Sequence, residues 1–167
     1  MSLYIVDSNF FIQAHRAYYP LDVIQSFWAK VKQLADEGKI KSIDKVKTEI
    51  YSNASHEDEL KGWCEDNLPN DFFLDTSSSI SDYRDIVIWA NSMSYFYKRS
   101  AIQEFLATDL ADPWLVAYAK ANNCTIVTYE KSEPGRKSRI KIPEVCNQFS
   151  VRYINTVDLL RELNERI

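Results

Sequence analysis

Short apolar runs alternate along the chain with longer stretches of helical periodicity. Residues 3–6 (LYIV), 40–43 (IKSI), 71–75 (DFFLD), 124–128 (CTIVT) and 151–154 (VRYI) are compact runs rich in β-branched and aromatic side chains. Runs of that length and content are predicted strands. After Pro20 and Asp22, the residues Val23, Phe27, Val31 and Leu34 recur at helical spacing, and Gly38 reads as the stop. Asp44 is placed to cap a helix through KVKTEIYS, and a third, charge-rich helix is predicted around 55–66. YRDIVIWANSMSYF from 83 and a shorter segment near 99–107 also read as helical. In ADPWLVAYAKANN, Asp112 is the expected N-cap and Pro113 the first helical residue. TVDLLRELNERI is a terminal amphipathic helix with Thr156 as the expected cap. The segment 130–148 is the one long stretch without periodicity, and loops of that length tend to carry function or to move.

Strands alternating with helices predict an α/β layer fold with a mainly parallel sheet. No repeat and no linker divides the 167 residues, so we read 1–167 as a single domain. A chain of that size buries a sizeable core without disulfides or structural metals. Hydrophobic residues make up 46% and charged residues 26%, a globular composition. No apolar run is long enough to span a bilayer, and the N-terminus has no basic region followed by a cleavage pattern. The three cysteines are far apart and match no ligand spacing, so neither a disulfide framework nor a zinc site is expected. The expected location is the cytoplasm. A net charge of −4 argues against coating nucleic acid by charge alone, although Lys131, Arg136, Lys137, Arg139 and Lys141 crowd one stretch. His15 and His56 lie in polar settings with no partner at ligand spacing and read as surface residues.

In open α/β sheets, ligands collect at the carboxyl ends of strands. Asp7 leaves the first strand and Glu130 follows the fourth, while Glu49 and Asp112 stand at or near helix starts. Thr128 and Glu130 are two apart, so in extended backbone they point the same way. Glu49 lies at the edge of the stripe marked by Val46 and Ile50. Carboxylates that converge without basic partners repel one another, and a divalent cation relieves that repulsion. Mg²⁺ takes oxygen ligands, and a bound metal can generate a nucleophilic water and stabilise a phosphoryl oxygen.

The ordered set YIVDSN (4–9), VKTEI (46–50), LADPWLVAYA (110–119) and TIVTYE (125–130) resembles the PIN-domain family of metal-dependent ribonucleases. EPGRKSRIKIPEVC (133–146) is similar to a bacterial branch of PIN-like proteins. The resemblance implies a three-layer α/β/α sandwich. It implies Asp7, Glu49, Asp112 and Glu130 as the acids of a Mg²⁺ or Mn²⁺ site, with Asn9 and Thr128 in support. Glu130 stands where many members have aspartate. The likeness to VapC-type toxins implies an RNA substrate, a partner antitoxin and a homodimer, with no membrane role. Arg136, Lys137, Arg139 and Lys141 are then candidate RNA phosphate contacts.

Each residue also has a plainer reading. Asp7 and Asn9 can close a turn, Glu49 can be a solvated helix acid, and Asp112 can serve only as a helix start. Thr128 can be a β-branched strand residue, and the basic stretch can be solvated charge. Asp109 competes with Asp112 but lacks the apolar helix pattern after it. A PIN-like module that binds RNA or protein without cleaving is the alternative function. An aspartyl phosphatase usually has a second Asp where Asn9 stands, and no GxGxxG or GxxxxGK[ST] motif supports a nucleotide fold.

Overall fold

The computed structural model describes residues 3–52 and 58–167. Its five strands are β1 (Tyr4–Val6), β2 (Ile40–Ile43), β3 (Phe73–Leu74), β4 (Thr125–Val127) and β5 (Tyr153–Ile154). All pair in parallel, in the order β3-β2-β1-β4-β5. β1 and β4 are buried along their whole length. This is why they read as unbroken apolar runs: a parallel strand covered on both faces has no solvent side.

The helices are α1 (Ser8–Gln13), α2 (Gln25–Asp36), α3 (Asp44–Ser52), α4 (Asp58–Asn67), α5 (Ile80–Ser92), α6 (Arg99–Phe105), α7 (Asp112–Asn122), α8 (Ile142–Phe149) and α9 (Thr156–Glu162). From β1 the chain steps outward through β2 to β3, then returns across the sheet to β4 and steps the other way to β5. Right-handed crossovers therefore place α1–α4 over one face and α5–α8 over the other. The packing agrees: α5 lies on α7, α7 on α8, and α1 on α3. The fold is the expected α/β/α sandwich, with a fully parallel sheet. Its core joins Ile5, Val6, Phe10, Phe11, Ile40 and Ile43 to Leu115, Val116, Ile126 and Val127.

Several local expectations change. Asp7 is followed directly by α1, which the periodicity reading passed over; its buried Phe10, Phe11 and Ala14 are four or fewer residues apart on one face. A π-helical turn, Ala14–Tyr18, continues it. Val23 lies outside α2 and is 71% exposed. Gly38 does stop that helix, with φ of 71° that a side chain would resist. Asp112 is the first residue of α7 and makes no capping hydrogen bond; Ala111 occupies the cap. Asn155, not Thr156, caps α9 by accepting from the Asp158 N–H at 2.8 Å. The segment 130–148 is irregular only in its first part, since α8 occupies its end. Pro143 in the first turn and buried Ile142, Val145 and Cys146 carry that helical signal. The N-terminal part of the helix predicted at 55–66 falls outside the described residues.

Candidate active site

β1 lies between β2 and β4, and the chain leaves β1 and β4 toward opposite sides of the sheet. That reversal opens a crevice at their carboxyl ends, the usual ligand position in such sheets. The register pairs Val6 with Val127, so the next residues, Asp7 and Thr128, become neighbours. The Asp7 N–H donates to the Val127 carbonyl at 3.3 Å, and the Thr128 hydroxyl donates to Asp7 Oδ2 at 2.6 Å. Asp7 Oδ1 accepts from the Phe10 N–H at 2.8 Å and so caps α1. Asp7 therefore fills its structural role and still lies at the crevice. It is 2% exposed. Burial pushes its carboxyl up to about 7; the two hydrogen bonds oppose that, and the charges of Glu130 and Glu49 add to it.

Asp112 reaches the same crevice from the start of α7. It is half-buried and accepts no hydrogen bond from the described residues. Burial holds its carboxyl well above the usual range, and Glu130, Asp7 and Glu49 push in the same direction, with Arg139 opposing. Glu49, on α3, accepts from the Ser8 hydroxyl at 2.6 Å. Burial raises its carboxyl; Ser8 and the Ala111 N–H lower it, and the exposed Asp109 raises it. Asp7 and Asp112 thus both feel the charges of Glu130 and Glu49. The Asn9 side chain makes no hydrogen bond with the described residues.

Glu130 differs from the other three. Its Oε1 accepts from Arg139 at 2.8 Å and its Oε2 from the buried Ile142 N–H at 2.8 Å. Thr128 Oγ1 accepts the Glu130 N–H at 3.1 Å. Glu130 therefore fastens the irregular segment to the first turn of α8. Among the described residues, no three Asp, Glu, His or Cys side chains are grouped so as to hold one metal ion. The chain's own donors hold Glu49 and Glu130 in other bonds, and Arg139 gives the cluster a basic partner.

The basic residues are also engaged. Lys141, expected as a phosphate contact, is buried and its Nζ lies 2.8 Å from Glu133. Arg139 holds Glu130. Arg136 lies 3.7 Å from Glu133, and Lys137 sits 5.6 Å from the centre of the Phe96 ring, both residues exposed. A cleft of about 280 Å³ opens beside Glu130, lined by Thr128, Tyr129, Lys131, Tyr153 and Asp158. His15 is half-buried, with Nε2 3.8 Å from Glu59; His56 lies outside the described residues.

Ser8 and the Ala111 N–H are the site groups that the sequence reading missed. Ser8 stands inside YIVDSN, and a helix starting at Ser8 would have pointed it toward α3. The Ala111 amide carries no side-chain signal.

The bonds of Glu130 give a direct expectation. Glu130→Ala leaves the Ile142 N–H buried without an acceptor and should cost about 1–3 kcal/mol of stability. Glu130→Gln keeps a carbonyl oxygen for that N–H and should cost distinctly less. Urea denaturation of both variants checks this, and equal losses would remove the bracing role.

A family model described as "Domain of unknown function (DUF4411)" matches residues 4–167. No curated protein matches the chain. Among solved structures, VapBC2 from Rickettsia felis bound to a DNA fragment from its promoter is similar at 15% identity. That match covers 92% of this chain and 98% of the other, with a TM-score of 0.49. Among the described residues, no helix is long and apolar enough to cross a membrane.

Proposed function

The chain belongs to the DUF4411 family, and from its buried acidic crevice we propose that it is a metal-dependent ribonuclease of PIN type. The observation that carries the proposal is the placement of buried Asp7 at the carboxyl end of β1 with Asp112 at the start of α7, both carboxyls raised chiefly by burial and further by Glu130 and Glu49. Proteins tolerate such strained ionisations chiefly at functional sites. The donors are all oxygens, which suits Mg²⁺ or Mn²⁺. Asp7, Asp112 and Glu49 would hold the ion, which when bound supplies Lewis-acid stabilisation of a phosphoryl oxygen and an acidified water. Thr128 and the Phe10 N–H fix the Asp7 carboxylate, and Ser8 fixes Glu49, so these acids keep their orientation without a ligand. Glu130 acts as the brace of the loop beside the site. Lys131, Arg136 and Lys137 remain exposed for RNA phosphates.

The proposal makes a thermodynamic prediction that needs no substrate. Mn²⁺ or Mg²⁺ should raise thermal stability, by about 2.7 kcal/mol at roughly 100 times its dissociation constant. The gain should grow as pH rises through 7, because the acids must be ionised to bind. A melting point indifferent to both ions across that range would end the metal reading.

The Glu130–Arg139 pair and the absence, among the described residues, of a grouped ligand set favour a second reading. In that reading the chain binds RNA without cutting it. Mapping of RNA 5′ ends after induced expression separates the two: new ends that vanish with Asp7→Asn support cleavage, and RNA bound intact supports the second. The resemblance to VapC-type toxins extends the first reading to the toxin of a toxin–antitoxin pair that acts as a homodimer. Growth arrest on expression, relieved by a small protein encoded next to it, tests the pairing. Sedimentation tests the dimer.

A further inference from the structure

An aromatic cavity lies between the end of α5, the segment after it and α8. Its volume is about 340 Å³, within the range of small-molecule sites. Trp89, Met93, Phe96 and Tyr97 form its apolar walls, and α8 contributes Glu144. The rings stand nearly perpendicular: Trp89 meets Tyr97 at 76°, and Phe96 meets Tyr97 at 86°. Such a corner presents ring faces from more than one direction, and ring faces are electron-rich.

Glu144 adds a full negative charge. Its Oε1 accepts from the Ser132 hydroxyl at 2.5 Å and the Glu133 N–H at 2.8 Å. Its Oε2 is buried with no hydrogen-bond partner, and among the described residues no Lys, Arg or His pairs with it. A carboxylate oxygen left this way is costly, and a cation held near it offsets that cost through space. One of the walls already attracts a cation: Lys137 Nζ lies 5.6 Å from the Phe96 ring centre. Pro134, Asn147 and Gln148 line the cavity and are exposed, so it has a mouth.

We propose that this cavity binds an organic cation with an alkylated ammonium head. The choice of head follows from the lining. A guanidinium carries five N–H donors, and the cavity offers them only two amide side chains at its rim, since one Glu144 oxygen is already bonded and the other is buried. An alkylated ammonium needs charge complementarity and apolar contact, which the rings and Glu144 supply. The inference is independent of the nuclease reading.

The chain has two methionines, so the methyl signal of Met93 is readily separated from that of Met1. The full chain, labelled with ¹³C-methyl methionine, is titrated with choline, with its uncharged isostere 3,3-dimethyl-1-butanol and with methylguanidinium. Choline should shift the Met93 signal saturably and bind about tenfold more tightly than the isostere. Glu144→Gln retains an acceptor for Ser132 and Glu133 and should bring the two affinities together. Equal affinities in the unaltered protein overturn the proposal, as does the lack of a saturable shift. So does a preference that survives Glu144→Gln, and tighter binding of methylguanidinium overturns the choice of head group.

Discussion

Asp7→Asn is expected to abolish metal-dependent cleavage and, in metal-free protein, to raise stability. The first effect follows from its place in the crevice. Groups that only orient a metal ligand are worth about 10–100-fold in affinity or activity, so loss of a ligand charge should exceed that. The second follows from burial. The Asp7 carboxyl is pushed from its ordinary 3.8 up to about 7. Between those values the folded chain holds a proton that the unfolded chain has released, so stability falls as pH rises through that window. Above 7 the folded protein carries an ionised group it disfavours. At about 1.4 kcal/mol per pH unit, the cost is of order 4–5 kcal/mol. Asparagine removes the charge and can still accept from the Phe10 N–H, preserving the cap. Urea denaturation should therefore show Asp7→Asn more stable than the unaltered chain above pH 7, with the gap closing toward pH 4. A variant that is less stable at every pH would mean that Asp7 serves α1 alone.

Asp112→Asn should give the second large effect, for a related reason. Its carboxylate caps nothing and accepts no hydrogen bond from the described residues, so the fold has no bond there to lose. Burial and three neighbouring acids hold its carboxyl well above the usual range, so its neutral replacement should also stabilise the metal-free protein above neutral pH. Cleavage and metal binding should fall by more than about 100-fold, as for Asp7. The two stabilisations should not add. Asp7 and Asp112 repel each other, so removing one charge already relieves the other, and the double variant should gain less than the sum. Strict additivity in a double-mutant cycle would place the two acids in separate environments. Unfolding of the single Asp112→Asn variant would make its role structural.

The expected set of acids met the structure unevenly, and Glu130 shows why. On the sequence it looked like Asp7, an acid just past an apolar strand. In the fold its side chain has both oxygens bonded, to Arg139 and to the first turn of α8. Nothing in TIVTYE announces those partners, because they arrive from a segment whose end was not read as a helix. Lys141 makes the same point from the other side: within a cluster of basic residues it looked solvated, yet it is buried against Glu133.

What the sequence by itself determined was the alternation of strands and helices, and with it the layered parallel sheet. Hydrophobic periodicity is a local property: the apolar runs of β1 and β4 require cover on both faces wherever they end up. The order of the strands then placed Asp7 and Thr128 at the carboxyl ends, where a crevice forms. Only the tertiary structure decided the ionisation and partners of each acid. Those depend on the distance between groups far apart in sequence, 121 residues in the bond from Thr128 to Asp7, and on how much water the packing leaves around them. A side chain's charge is written in the sequence, but its desolvation and its neighbours exist only once the chain has closed on itself.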